Sequence, residues 1–179
     1  MASDPLFLRS YRDFAAYNAW ANRRLYAAAA ELSDEQFRAD RGAFFASVRG
    51  TLNHLLVADR IWMRRFTGEG ETYPRLDVVL FVALPELAEA REAEDARIVL
   101  YIDGLTETDL LAGMRYGNMA GKRFVHPLAT VLDHFFNHQT HHRGQAHGLI
   151  SGFLGNDATP SLDLLLYQRE VGLASPEPA

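Results

Sequence analysis

Cysteine is absent from the 179-residue chain. That gap removes disulfides, thiolate metal sites and a cysteine nucleophile together, so any bound metal must be held by imidazole, carboxylate or water. Lysine is almost absent as well: Lys122 stands alone, and the other positive residues are arginines spread along the chain without a dense run. With a formal net charge of −5 and no concentrated positive stretch, nucleic acid is not expected as a partner, because phosphate binding draws on clustered cations. Apolar runs of about eighteen residues are missing, which argues against a membrane-spanning helix. The opening Met1-Ala2-Ser3-Asp4-Pro5 lacks the charged and apolar regions of a secretory signal. A soluble cytoplasmic protein is the expectation. The apolar content of 48% is that of an ordinary globular chain. With no internal repeat and no interdomain linker, residues 1–172 are expected to form a single domain and residues 173–179 a disordered tail.

What is present is helical periodicity. From Leu6 to about Leu32, the residues Phe7, Tyr11, Phe14, Asn18, Ala21, Asn22, Leu25 and Ala29 share one stripe. Asn18 and Asn22 interrupt its apolar side, and buried amides need partners, so they either tie neighbouring helices together or border a polar cavity; the structural role is preferred. Trp20 points away from the stripe, toward a loop or a second subunit. Between Ser33 and Ala46 a short helical turn is expected from Ser33-Asp34-Glu35-Gln36, an N-cap residue followed by acidic ones. A second long helix runs from about Ser47 to Thr67 and is closed by Gly68 and Gly70. It is apolar on two sides, through Val48, Leu52, Leu55, Leu56, Trp62, Met63 and Phe66 on one and Val57, Ala58 and Ile61 on the other, which is the pattern of a sandwiched helix. His54 lies with the second stripe and Asp59 with the first, and periodicity does not say which looks into the centre.

A third helix starts at Leu76 or at Pro85 and ends near Gly104, with Leu84, Ala88, Ile98, Ile102 and Leu105 on one face. Arg91 and Asp95, four apart, read as a structural ion pair near the helix surface. Between Gly113 and His126 two short extended pieces flank a Gly/Asn-rich turn, a hairpin-like excursion. Pro127 opens a fourth helix that stops near Gly152 to Gly155, and Thr159-Pro160 start a short C-terminal helix reaching Tyr167. The fold class is therefore all-α, a four-helix bundle with a small hairpin before its fourth helix.

Four of the seven histidines, His134, His138, His141 and His142, fall within nine residues of that fourth helix. Leu128, Val131, Leu132, Phe135, Leu149, Ile150 and Phe153 form its apolar arc; His138 lies at the arc's edge and His142 inside it, while His134 and His141 lie toward the polar border. A lone helical histidine beside a core is ordinarily a packing residue. Two on one inward stripe, at i and i+4, project side by side and can bind one cation. Their spacing is that of the zinc-protease HExxH pattern, but position 139 is Gln, which cannot act as the general base of that pattern.

Tyr17-Asn18-Ala19-Trp20-Ala21-Asn22, the run from Leu52 through His54 and Asp59 to Trp62, the run Asn137-His138-Gln139-Thr140-His141-His142-Arg143-Gly144-Gln145, and the closing Pro160-Ser161-Leu162-Asp163 to Tyr167 together resemble the DinB/YfiT-like family of metal-binding helical bundles. The resemblance spans nearly the whole chain and implies a three-histidine metal site at His54, His138 and His142; His141 is an extra imidazole beside the motif, and its place nearer the polar border makes it the second choice. Three neutral imidazoles leave a coordination position for water or substrate. Zinc or nickel fits such a donor set best, and iron or manganese is also compatible. Asp59, Asn18, Asn22 and Asn137 are then candidates to hold the ligands' outer nitrogens, and Gln139 and Arg143 to contact a bound anion.

The resemblance further implies a metal-dependent enzyme of the thiol-dependent S-transferase or isomerase type, acting on a small-molecule substrate with a low-molecular-weight thiol. Two other readings stand beside it: a non-catalytic, damage-inducible stress-response protein that binds metal, and a bundle whose histidines only pack. The doubly apolar second helix and the outward Trp20 point to a homodimer.

Overall fold

The computed structural model describes residues 6–174. Most of the tail expected at 173–179 lies outside them. The order of elements is α1 (Leu6–Ala29), α2 (Asp34–Arg38), α3 (Val48–Thr67), α4 (Leu84–Asp103), α5 (Glu107–Leu111), β1 (Gly113–Gly117), β2 (Arg123–Pro127), α6 (Leu128–Leu154) and α7 (Leu164–Glu170). The four long helices form the bundle: α1 packs on α4 and α6, and α3 packs on the same two, so α1 and α3 lie across a diagonal.

Local chemistry sets most boundaries. Ser33 and Gln36 form a reciprocal capping box on α2, and Ser47 caps α3 by accepting from the Gly50 amide. Gly68, at φ 78°, ends α3 in the left-handed conformation that suits glycine. Pro85 occupies the first turn of α4, so the earlier start considered at Leu76 is wrong; residues 68–83 are an irregular link instead. The hairpin is present, with β1 and β2 antiparallel and Tyr116 opposite Phe124.

Several expectations need correction. Helix α1 stops at Ala29, short of Leu32. Its N-terminal Phe7 is 69% exposed while Leu8 is buried, so the inward stripe is rotated there. The short helix α5 carried no clear periodic signal and was not expected. The last helix begins after Asp163, whose carboxylate accepts from the Leu165 and Leu166 amides, and not at Thr159-Pro160. Trp20 does not face outward: it is buried, donates Nε1–H to Glu170 at 2.7 Å and lies 5.6 Å from the Tyr167 ring. It therefore fastens α7 to α1 and gives no support to a second subunit.

Arg91 and Asp95 are not a surface pair. Both are buried, and they sit in a polar network that crosses the bundle. Arg91 Nη1 donates to Asp59 of α3 at 2.6 Å, and Arg91 Nη2 lies 3.0 Å from Asp95. Asp95 in turn accepts from Asn18 at 3.1 Å and from Asn22 at 3.0 Å, both on α1. Arg143 of α6 donates to the Asn18 carbonyl oxygen. Asn18 and Asn22 thus tie helices together, as their place on the inward stripe implied. Burial raises the Asp59 carboxyl to about 6 against the pull of Arg91. Burial opposes the Arg91 charge, but the two aspartates outweigh it and raise its pKa.

Removing one partner of such a set strands a buried charge. Arg91→Met is expected to lower unfolding stability by about 3–5 kcal/mol, measurable as a lower urea midpoint.

Candidate metal centre

The site is built where α3 and α6 run against each other. His54 projects from the second turn of α3, and His138 and His142 project from successive turns of α6. One ring nitrogen from each lies within 4.8 Å of the other two. The ring centroids of His54 and His142 are 4.4 Å apart, those of His138 and His142 4.4 Å, and those of His54 and His138 5.4 Å. Among the described residues this is the only cluster of three or more histidine or carboxylate groups close enough to share an ion. The three residues named from sequence are therefore brought together. His141 is not in the cluster; it lies exposed on the outer side of α6.

Hydrogen bonds fix the tautomers of two rings. His54 Nδ1 lies 2.9 Å from the Leu76 carbonyl oxygen, an acceptor only, so Nδ1 carries the proton and Nε2 a lone pair. His142 Nδ1 lies 2.8 Å from Gln145 Oε1, while Gln145 Nε2 lies 3.1 Å from His141 Nε2. With the amide in that orientation, His142 also donates through Nδ1 and keeps a bare Nε2. The two bare Nε2 atoms then face each other at 3.2 Å. Two lone pairs at that distance repel unless a positive centre lies between them. Two nitrogens on a tetrahedral zinc, at bond lengths of about 2.0–2.1 Å, are separated by about 3.3 Å. His138 has a buried Nδ1 without a hydrogen-bond partner, so its ring too has a nitrogen with nothing to bind. The donor set fits a divalent ion.

Electrostatics agree with neutral ligands. Burial lowers the His54 pKa to about 4, against the opposing Leu76 carbonyl. Burial and the neighbouring histidines lower His138 to about 3. Burial also lowers His142. A metal competes with protons for these nitrogens, and here burial has already displaced the protons.

The partners proposed from sequence for the ligands' outer nitrogens are not the ones found. Asn18, Asn22 and Asp59 belong to the charge network, and Asn137 is exposed on the far side of α6. Gln139 and Arg143 are buried, Gln139 beside Asp59 and Arg143 on Asn18, so neither is placed to meet a bound anion. The groups that do the orienting are the Leu76 carbonyl and Gln145. Gln145 was readable in principle, three residues beyond His142 on the same helix; a backbone carbonyl from an irregular link leaves no sequence signal.

Phe45 also escaped sequence reading. Its ring stacks on His54 at 3.7 Å with 16° between planes, and it lies 5.5 Å from His142. The loop that carries it passes so near α3 that a Cβ on Gly50 would meet the Phe45 carbonyl oxygen at 2.0 Å. Gly50 is therefore required by close approach, and the loop returns through Ala46 at φ 63°.

A helical bundle with three inward imidazoles on two facing helices defines a class of histidine-lined, metal-capable bundles. The DinB family profile matches residues 4–170, and the chain belongs to the DinB family. It is 27% identical over 139 residues to Protein DinB of Bacillus subtilis, a match covering 72% of this chain and 77% of that one. The crystal structure of a DinB-like protein from Bacillus cereus superposes with a TM-score of 0.57 at 21% identity, covering 97% of this chain and 95% of that chain, which is a likeness of fold. Among the described residues no helix is long and apolar enough to cross a membrane.

Two outcomes follow from the site. The depressed histidine values lie below the ordinary value of about 6.5, so as pH falls from 6.5 the unfolded chain takes up protons that the folded one refuses, and stability is lost toward pH 4. For His54 this amounts to about 1–2 kcal/mol between pH 7 and 5, while the raised Asp59 works in the opposite direction. In metal-free protein, the stability difference between wild type and His54→Ala should shrink by that amount over this range, read from paired urea curves. Gly50→Ala should displace the Phe45 loop and lower stability by about 1–3 kcal/mol, measurable by thermal unfolding.

Proposed function

We propose that this chain binds a divalent metal ion through His54, His138 and His142 and works as a metal-dependent enzyme of the thiol-dependent S-transferase or isomerase type. The observation that carries the metal is the pair of proton-free Nε2 atoms facing each other at 3.2 Å, each with its Nδ1 committed elsewhere. Zinc or nickel is the ion these imidazoles favour, since nitrogen donors without thiolate or carboxylate suit borderline metals.

His54, His138 and His142 would hold a divalent ion without neutralising it, and such an ion would supply Lewis acidity that lowers the pKa of a thiol or water. The chain's own residues do the rest. The Leu76 carbonyl and Gln145 hold the His54 and His142 rings in the tautomer that presents Nε2 inward. Phe45 covers the outer face of His54 and keeps water from that side. Among the described residues no carboxylate joins the three imidazoles; the nearby Asp77 acts on His54 only through its charge, and its own oxygens are taken by Arg75. This favours activating a nucleophile that loses its proton readily, as a thiol does, over hydrolysis.

Protein purified without chelator should carry about one equivalent of zinc or nickel by elemental analysis, and His138→Ala should carry almost none. Equal, negligible metal in both overturns the site. Gln145→Leu should weaken zinc binding about 10- to 100-fold in a chelator competition, with Gln145→Glu close to wild type. Metal-loaded protein incubated with cellular thiols and electrophiles should form conjugates faster than the metal-free control; equal rates would leave a metal-binding protein without turnover.

A further inference from the structure

Thr130, His134, His138 and His142 follow one another at intervals of four along α6, a spacing that stacks side chains in a row. His54, Ala58 and Trp62 form the matching row on α3. The two rows run in opposite directions, with His54 against His142 and His138 at one end and Trp62 against His134 at the other, where the ring centroids are 5.3 Å apart. The His134 ring is 5.7 Å from that of His138. Between the two ends α3 offers only the methyl group of Ala58.

Beyond His134 a cavity of about 380 Å³ opens, lined by Trp62, Tyr116, His126, Thr130, Val131 and His134. Its size suits a single ring with a short chain. Trp62, Tyr116 and Val131 supply an apolar surface, and Thr130 and the two imidazoles supply hydrogen-bonding groups. No carboxylate lines it. Arg65 lies against the Trp62 ring at 4.4 Å and the Tyr116 ring at 5.5 Å, and is held there by donating to the Gly117 carbonyl oxygen at 2.9 Å. On a chain with a net charge of −5, this is an aromatic recess bordered by a fixed cation, one helical turn from the three histidines.

We propose that this recess binds the body of an anionic aromatic small molecule, an arylalkyl carboxylate in the simplest case, whose reacting end extends past Ala58 to the three-histidine centre. The proposal names a substrate class for the site proposed above and rests on that reading for its second half; the recess itself does not depend on the metal. The ring lies on Trp62, Tyr116 and Val131, and the carboxylate lies on the Arg65 side, away from the ion.

The test uses the full chain and two probes of one shape and opposite charge, 3-phenylpropionate and 3-phenylpropylamine, titrated by calorimetry into metal-free and zinc-loaded protein. The carboxylate should bind at least tenfold more tightly than the amine in both forms. Arg65→Met should remove that preference, and Thr130→Trp, which fills the recess from an exposed position, should abolish carboxylate binding. Equal affinity for the two probes, or unchanged binding in Thr130→Trp with native circular dichroism, overturns the recess. Cobalt-loaded protein then tests the approach to the centre: cobalt should broaden the bound probe's proton resonances in wild type and not in His138→Ala. Binding without broadening in cobalt-loaded wild type overturns the approach to the centre. Failure of cobalt to bind overturns the metal reading while the carboxylate preference of the metal-free protein still decides the recess.

Discussion

Arg91 holds two aspartates out of reach of water, and the placement of the helices follows from that. A buried guanidinium at 2.6 Å from Asp59 and 3.0 Å from Asp95 tolerates little displacement, because every lost contact strands a charge in a medium that cannot solvate it. Asp59 belongs to α3 and Arg91 and Asp95 to α4; Asn18 and Asn22 bring in α1, and Arg143 brings in α6. Hydrophobic packing alone would let these helices rotate by small amounts at small cost. The network fixes which way α3 faces.

That orientation makes the site. His54 and Asp59 are five residues apart on one helix and point to different neighbours, Asp59 to Arg91 and His54 to the α6 histidines. Holding one therefore aims the other. The imidazoles are then finished by groups that are unremarkable in themselves: a loop carbonyl, an amide side chain and a phenyl ring. Each removes a freedom, the first two of tautomer and the third of ring tilt, and together they leave bare nitrogens pointing at a common place. Along the same helix pair, Ala58 is the residue that stands between this place and the recess beside the hairpin.

Much of the fold was legible. The ends of α2, α3 and α4 rest on contacts within a few residues, through Ser33, Ser47, Gly68 and Pro85, and such local chemistry is written directly in the chain. The inward course of His138 and His142 followed from the helical repeat of α6. His54 was not decided by periodicity, because α3 is buried on both sides and either stripe qualifies as inner; the resemblance to a known family supplied that assignment. Trp20, the Arg91–Asp95 pair and the start of α7 differ from the sequence expectation for two reasons. Trp20 and Arg91 depend on partners distant in sequence, Glu170 and Tyr167 for the one and Asp59 for the other, whereas the start of α7 rests on the local cap at Asp163, which competes in the sequence with the equally cap-like Thr159-Pro160.

The sequence by itself determined the donors and the rods. Without cysteine, a metal here can be held only by imidazole, carboxylate or water, histidines at helical spacing supply the imidazoles, and the periodic apolar positions settle that the chain forms long amphipathic helices. Tertiary structure alone decided the rotation of each helix about its axis and, through the Leu76 carbonyl, which nitrogen of His54 is free. Helical periodicity describes one helix relative to itself, whereas His54 and His142 lie 88 residues apart in the chain and meet only when the helices pack.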